Sequence, residues 1–85
     1  MPLSIRVLFF ASAREATGVA ETEVELPDDA AQTTKVLSAR LGELYPSLGD
    51  LLQRCSLALN EEYVDDDVSL KAGDCIAVIP PISGG

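Results

Sequence analysis

Lys35–Tyr45 reads KVLSARLGELY, with Leu37, Leu41 and Leu44 at helical spacing and Val36 and Tyr45 flanking the stripe. Thr33 or Thr34 offers an N-cap hydroxyl, and Pro46, which has no N–H to continue the ladder, stops the helix. No other stretch reads as a helix of this length. Ala11–Gly18 (ASAREATG) allows one helical turn ended by Gly18, and Ser47–Arg54 allows another short one. Outward from the helix the apolar period shortens to two. Val19–Leu26 (VAETEVEL) sets Val24 and Leu26 against Glu23 and Glu25, a half-exposed strand ended by Pro27-Asp28-Asp29. Ser4–Phe10 (SIRVLFF) and Cys75–Ile79 (CIAVI) are apolar at nearly every position, which suits central strands running parallel to each other. Ser56–Asn60 and Tyr63-Val64 read as short strands about Glu61-Glu62, and Lys71–Asp74 reads as a turn.

Strand, strand, helix, then short strands predicts an α+β fold of the β-grasp kind, a mixed sheet with one main helix packed on one face. At 85 residues we expect one domain, residues 1–79, followed by an extended tail, residues 80–85. A single helix covers a single sheet face. Ile5, Val7 and Phe9 alternate with Arg6, Leu8 and Phe10, and an unpaired charge is costly to bury. The Arg6 side is therefore expected outside, with Leu8 and Phe10 exposed beside it as a candidate interface. Arg14-Glu15 reads as an exposed ion pair of little weight.

Composition excludes more than it names. Fourteen acidic residues against six basic ones give a net charge of −8, which disfavours nucleic acid and anionic membranes and favours a basic protein partner. No apolar stretch is long enough for a bilayer and no signal peptide is read, so a cytosolic protein is expected. Histidine is absent, and Cys55 and Cys75 stand far apart, without zinc spacing or a disulfide framework. Both cysteines are expected to be packing residues. Asp65–Asp67 lacks the spacing of a calcium loop and reads as a solvated turn, so no metal is expected.

The chain closes on Pro80-Pro81-Ile82-Ser83-Gly84-Gly85. Two prolines cannot extend a strand ladder and favour a stiff, extended exit. Six residues reach about 20 Å. Gly84 and Gly85 have no side chains, so the end can thread a narrow channel and its carbonyl carbon stays open to attack. A carboxylate is a poor electrophile until it becomes a mixed anhydride, usually with AMP. The chain has neither GxxxxGK[ST] nor GxGxxG, so activation is expected from another protein that uses ATP in trans. Displacement of AMP by sulfur would leave a thiocarboxylate, a soft anionic nucleophile. No permanently bound cofactor is expected.

VLFFASAREATG, ALNEEYV and above all LKAGDCIAVIPPISGG resemble the small subunits of molybdopterin synthase, in the ubiquitin-like superfamily, over nearly the whole chain. The resemblance implies that Gly85 is adenylated by a ubiquitin-activating-type adenylyltransferase and sulfurtransferase, then thiolated. It implies that Pro80, Pro81, Ile82, Ser83 and Gly84 insert with it into a large subunit, where sulfur passes to cyclic pyranopterin monophosphate. It adds Ile79 to the Leu8–Phe10 surface and implies a heterotetramer of two small and two large subunits. The large subunit would supply most catalytic side chains, so the chain is a sulfur-donor subunit and not an enzyme alone. A ubiquitin-like modifier, a carrier for thiamine or tRNA thiolation, and a binding module with an inert tail remain open, because the partner decides among them.

Overall fold

The computed structural model describes residues 2–29 and 31–81. Its first strand, β1 (Leu3–Phe9), buries Ile5, Val7 and Phe9 and turns Ser4 and Arg6 to the other side. The next, β2 (Glu21–Leu26), pairs antiparallel with it, burying Val24 and Leu26 and exposing Glu21, Glu23 and Glu25. Next to β1 on its other side runs β5 (Cys75–Ile79), parallel to it, with Phe9 opposite Val78. A short hairpin, β3 (Ser56–Leu59) and β4 (Glu62–Val64), completes the mixed sheet in the order β2-β1-β5-β3-β4. The two most continuously apolar segments thus lie centrally and parallel, as their composition implies.

Helix α2 (Thr34–Leu44) lies on the inner face. It seals Leu37 and Leu41 against Ile5, Val7, Val24, Leu26, Ile76 and Val78. Two shorter helices frame it: α1 (Ala11–Thr17), ended by left-handed Gly18 with φ +78, and α3 (Gly49–Leu52), entered through a 3-10 turn at Pro46–Leu48. The sheet-covering helix begins one residue earlier than the sequence indicates, and β2 begins at Glu21 instead of Val19. Leu44 departs from the helical stripe and is 46% exposed. The helix ends there, and Tyr45 and Leu48 take the inner positions instead. Tyr45 meets Phe9 edge to face at 5.5 Å between ring centroids, and Leu48 is fully buried.

The start of α2 is held by a loop far away in the chain. The Thr33 hydroxyl caps the Val36 N–H, and Asp67 Oδ1 accepts the Lys35 N–H at 2.8 Å and the Thr34 hydroxyl at 3.3 Å. The buried Thr34 hydroxyl also accepts the Val68 N–H. Asp67 is therefore a helix cap supplied from the acidic loop, not only a solvated turn residue. The Lys35 N–H first, then the Thr33 and Thr34 hydroxyls, hold its carboxyl below the usual carboxylate range.

Two outcomes follow from this packing. Leu41→Ala should cost about 2–5 kcal/mol in denaturant unfolding, and Leu44→Ala about 1 kcal/mol or less. Equal costs would show that both side chains are core. Because the Asp67 carboxyl is depressed in the fold, its stabilisation is present above the unfolded value of about 3.9 and is lost as pH falls through the lower folded value. Asp67→Asn should therefore lower the Tm by a few degrees at neutral pH, with the gap closing as the pH falls through the lower folded value. A gap independent of pH would exclude the carboxylate as the cap.

Candidate functional site

Strand β5 delivers the chain to one end of the sheet, and that end is the candidate site. Phe10 continues the β1–β5 pairing by one residue, its N–H donating to the Val78 carbonyl at 3.3 Å. Ile79 is half-buried, Pro80 is buried and Pro81 is exposed. The chain thus leaves the packed surface after Pro80, one residue later than expected. Ile82, Ser83, Gly84 and Gly85, the remaining expected tail residues, lie outside the described residues.

The outer sheet face begins at this exit. Leu8 stands opposite Ala77, which with Ile79 and Phe10 places the three expected interface residues on one side of the sheet. Together with Ala58 and Tyr63 they line a shallow hollow of about 590 Å³. Phe10 is 46% exposed and Tyr63 70%, a large apolar presence for a face no helix covers. Arg6 borders the hollow, and its Nε donates to Glu21 Oε2 at 2.7 Å. The pair keeps the guanidinium toward β2 and leaves the centre of the face apolar. Glu21, Glu23 and Glu25 follow along the β2 edge, with the Ser4 hydroxyl donating to Glu23 at 3.0 Å. An apolar centre beside a charged rim is the usual composition of a protein docking surface.

The opposite end of β5 is locked by a polar network. Asp74 Oδ2 accepts the Lys71 N–H at 2.7 Å, closing a turn through left-handed Gly73. Asp74 Oδ1 accepts the Asn60 side-chain amide at 3.0 Å, and Asn60 Oδ1 accepts the Cys75 N–H at 3.0 Å. The Asn60 N–H also donates to the Cys75 carbonyl at 2.9 Å. Asn60 and Glu61, with φ +49 and +73, form the two-residue link of the β3–β4 hairpin. The ALNEEYV and LKAGDC stretches therefore touch each other. Their shared work is to fix where β5 starts, and so where it ends. Sequence reading ends a strand at Asn60, links it through Glu61-Glu62 and reads Lys71–Asp74 as a turn; the link is instead Asn60-Glu61, and the bond between the two stretches is missed, an Asn opening a two-residue hairpin link being the available signal.

Between β1 and α1 there is no loop. Phe10 is extended and Ala11 is left-handed at φ +48, which turns α1 back across the tail root. A left-handed alanine costs about 1–2 kcal/mol, strain located beside the candidate site. Cys55 and Cys75 are free thiols, both half-buried. Burial pushes the Cys55 thiol up, away from nucleophilic character. Cys75 borders the outer hollow at the far end of β5 from the tail root. Among the described residues no helix is long and apolar enough to cross a membrane.

Comparison with known proteins agrees with this geometry. The ThiS family profile matches residues 7–85. The molybdopterin synthase sulfur carrier subunit of Chlamydomonas reinhardtii is 45% identical over 85 residues, covering 98% of this chain and 100% of that protein. The subunit of the same name from Homo sapiens is 40% identical, covering 95% and 93%. Among solved structures, a complex of subunits 1 and 2 of molybdopterin-converting factor from Helicobacter pylori matches with TM-score 0.71 and 30% identity, covering 98% of this chain and 100% of that one. Small archaeal modifier protein 1 from Methanosarcina acetivorans matches with TM-score 0.83 over 100% and 99% at 21% identity, a likeness of β-grasp fold alone. The chain belongs to the ThiS family and, within it, to the molybdopterin synthase sulfur carrier subunits.

Proposed function

We propose that the chain carries sulfur on its terminal carboxylate at Gly85 and delivers it inside the large subunit of a molybdopterin synthase. The carboxylate oxygen attacks the α-phosphorus of ATP held by a separate adenylyltransferase, pyrophosphate leaves, and a glycyl adenylate forms. A sulfur nucleophile then attacks the carbonyl carbon and AMP leaves with the bonding pair. The resulting thiocarboxylate is the sulfur donor for cyclic pyranopterin monophosphate. The chain's own contribution is placement: a rigid domain docks by its outer face, and the tail from Pro81 to Gly85 reaches about 17 Å into the partner. Gly84 and Gly85 add no side chain to that path.

The observation that carries this reading is continuity. The apolar hollow of Leu8, Phe10 and Ile79 adjoins the tail root, so a partner that covers the hollow also receives the tail. The Helicobacter pylori structure, a two-subunit complex, supports the large subunit as that partner. On this reading the working assembly holds two small and two large subunits in the cytosol, ATP acts only in trans, and no metal or cofactor resides in this chain. Conjugation to lysines would instead yield isopeptide-linked products, and a thiamine or tRNA carrier would not need this large subunit.

Deleting Gly85 withdraws the carboxylate by about 3.3–3.6 Å, as far as the whole near-attack separation of about 3–3.5 Å. Pterin product formed with the large subunit should disappear while the Tm stays at the wild-type value, since the deletion removes none of the residues of the described core. Normal product formation would end the sulfur-carrier reading. Separately, Phe10→Asp should weaken binding to the large subunit about tenfold or more, measured by calorimetry, and leave the domain folded. Unchanged affinity would remove the outer hollow from the interface.

A further inference from the structure

Beside the hollow lies a second depression, between α1 and the tail root. It measures about 560 Å³ and is lined by Phe10, Ile79, Pro80 and Pro81, with Ser12 and Glu15 contributed by α1. Ser12 and Glu15 are three residues apart on one helix and so share a face. Arg14 lies on the other side of Phe10, in a hollow with Glu21, so the adjacent Arg14 and Glu15 are directed apart instead of forming the ion pair expected from the sequence. Among the described residues the Glu15 carboxylate has no ion-pair or hydrogen-bond partner. Nor does it serve its own helix: it stands in the last turn of α1, where the partial negative charge of the helix end disfavours a carboxylate.

An unpaired carboxylate beside the apolar side chains of Phe10, Ile79, Pro80 and Pro81, with Ser12 as the only other polar side chain of the groove, calls for a cation on an aliphatic stem. We propose that this groove receives an arginine or lysine side chain of the large subunit, its aliphatic stem along Phe10, Ile79 and Pro81 and its cation on Glu15. Long basic side chains bury their stems on apolar surface while their charge stays at a polar rim. This assignment rests on the sulfur-carrier reading above and adds the contact that sets the docked domain's orientation at the tail entrance. Electrostatic matching of this kind fixes register and partner choice.

The test uses the full chain and purified large subunit in calorimetry. Glu15→Lys should weaken binding about tenfold or more and Glu15→Gln less, while the Tm of Glu15→Lys holds or rises slightly because the helix end prefers a cation. Glu43→Lys makes the same change in net charge on α2, outside the lining of the groove, and should leave affinity within about twofold. Equal weakening by the two lysine variants would mean that only overall charge matters, and unchanged affinity of Glu15→Lys would mean that no cation sits there; either overturns the proposal. If the wild-type chain does not bind the large subunit, the functional reading fails and the groove with it. Wild-type binding with an unaffected Glu15→Lys fails the groove alone.

Discussion

Parallel pairing of β1 with β5 is the constraint on which the rest depends. Two strands that run the same way need a long crossover between them, and residues 10–74 are that crossover. The pair buries Ile5, Val7, Phe9, Ile76 and Val78, so α2 must cover one face to keep that apolar surface from water. Parallelism also brings the C-terminal ends of both strands to the same edge of the domain. Phe10, α1 and the tail root are neighbours for that reason alone. A β5 running the other way would leave the tail at the opposite end, remote from the Phe10 surface.

Hydrophobic burial fixes which face is inside but not where along its axis each strand sits. Polar contacts do that here. The Asn60–Asp74 network anchors the start of β5 to the β3–β4 hairpin, and the Thr34–Asp67–Val68 contacts anchor the start of α2 to the loop before β5. Both locks lie away from the tail end, so the domain is braced at one end and leaves Phe10 and the tail root at the other. Positive φ at Asn60, Glu61 and Ala11 marks the places where tight turns override side-chain preference.

The strand alternation in Ser4–Phe10 and Val19–Leu26 is local, and it sufficed to assign inner and outer faces, including the outward setting of Leu8 and Phe10. The helical stripe was equally legible up to Leu41, then failed at Leu44, because helix termination is decided by where the chain must turn to bring Leu48 inward. Asp67 as a cap was not legible, since its partner Lys35 lies 32 residues away and nothing near Asp65–Asp67 signals a helix start. Pro80 illustrates a third kind of limit. Its composition implies an exit from the sheet, but its burial beside α1 depends on how the chain turns at Ala11, which no propensity announces. The Gly84-Gly85 chemistry rests on sequence and kinship, and the domain geometry adds where the tail starts.

A carrier of this design separates recognition from chemistry. The outer face and the groove by α1 are built of fixed strands and a short helix, whereas the function proposed above puts the reacting atom on Gly85. On the proposed function, one chain would visit an activating enzyme and a pterin-converting partner in turn without supplying side-chain catalysts to either. The direct measurement is intact mass of the chain after incubation with ATP, a ubiquitin-activating-type enzyme and a sulfur source. The account predicts a mass gain equal to one oxygen-for-sulfur exchange, located to Gly85 by fragmentation and absent when ATP is omitted. Unchanged mass with an active enzyme, or sulfur located on Cys55 or Cys75, would contradict it.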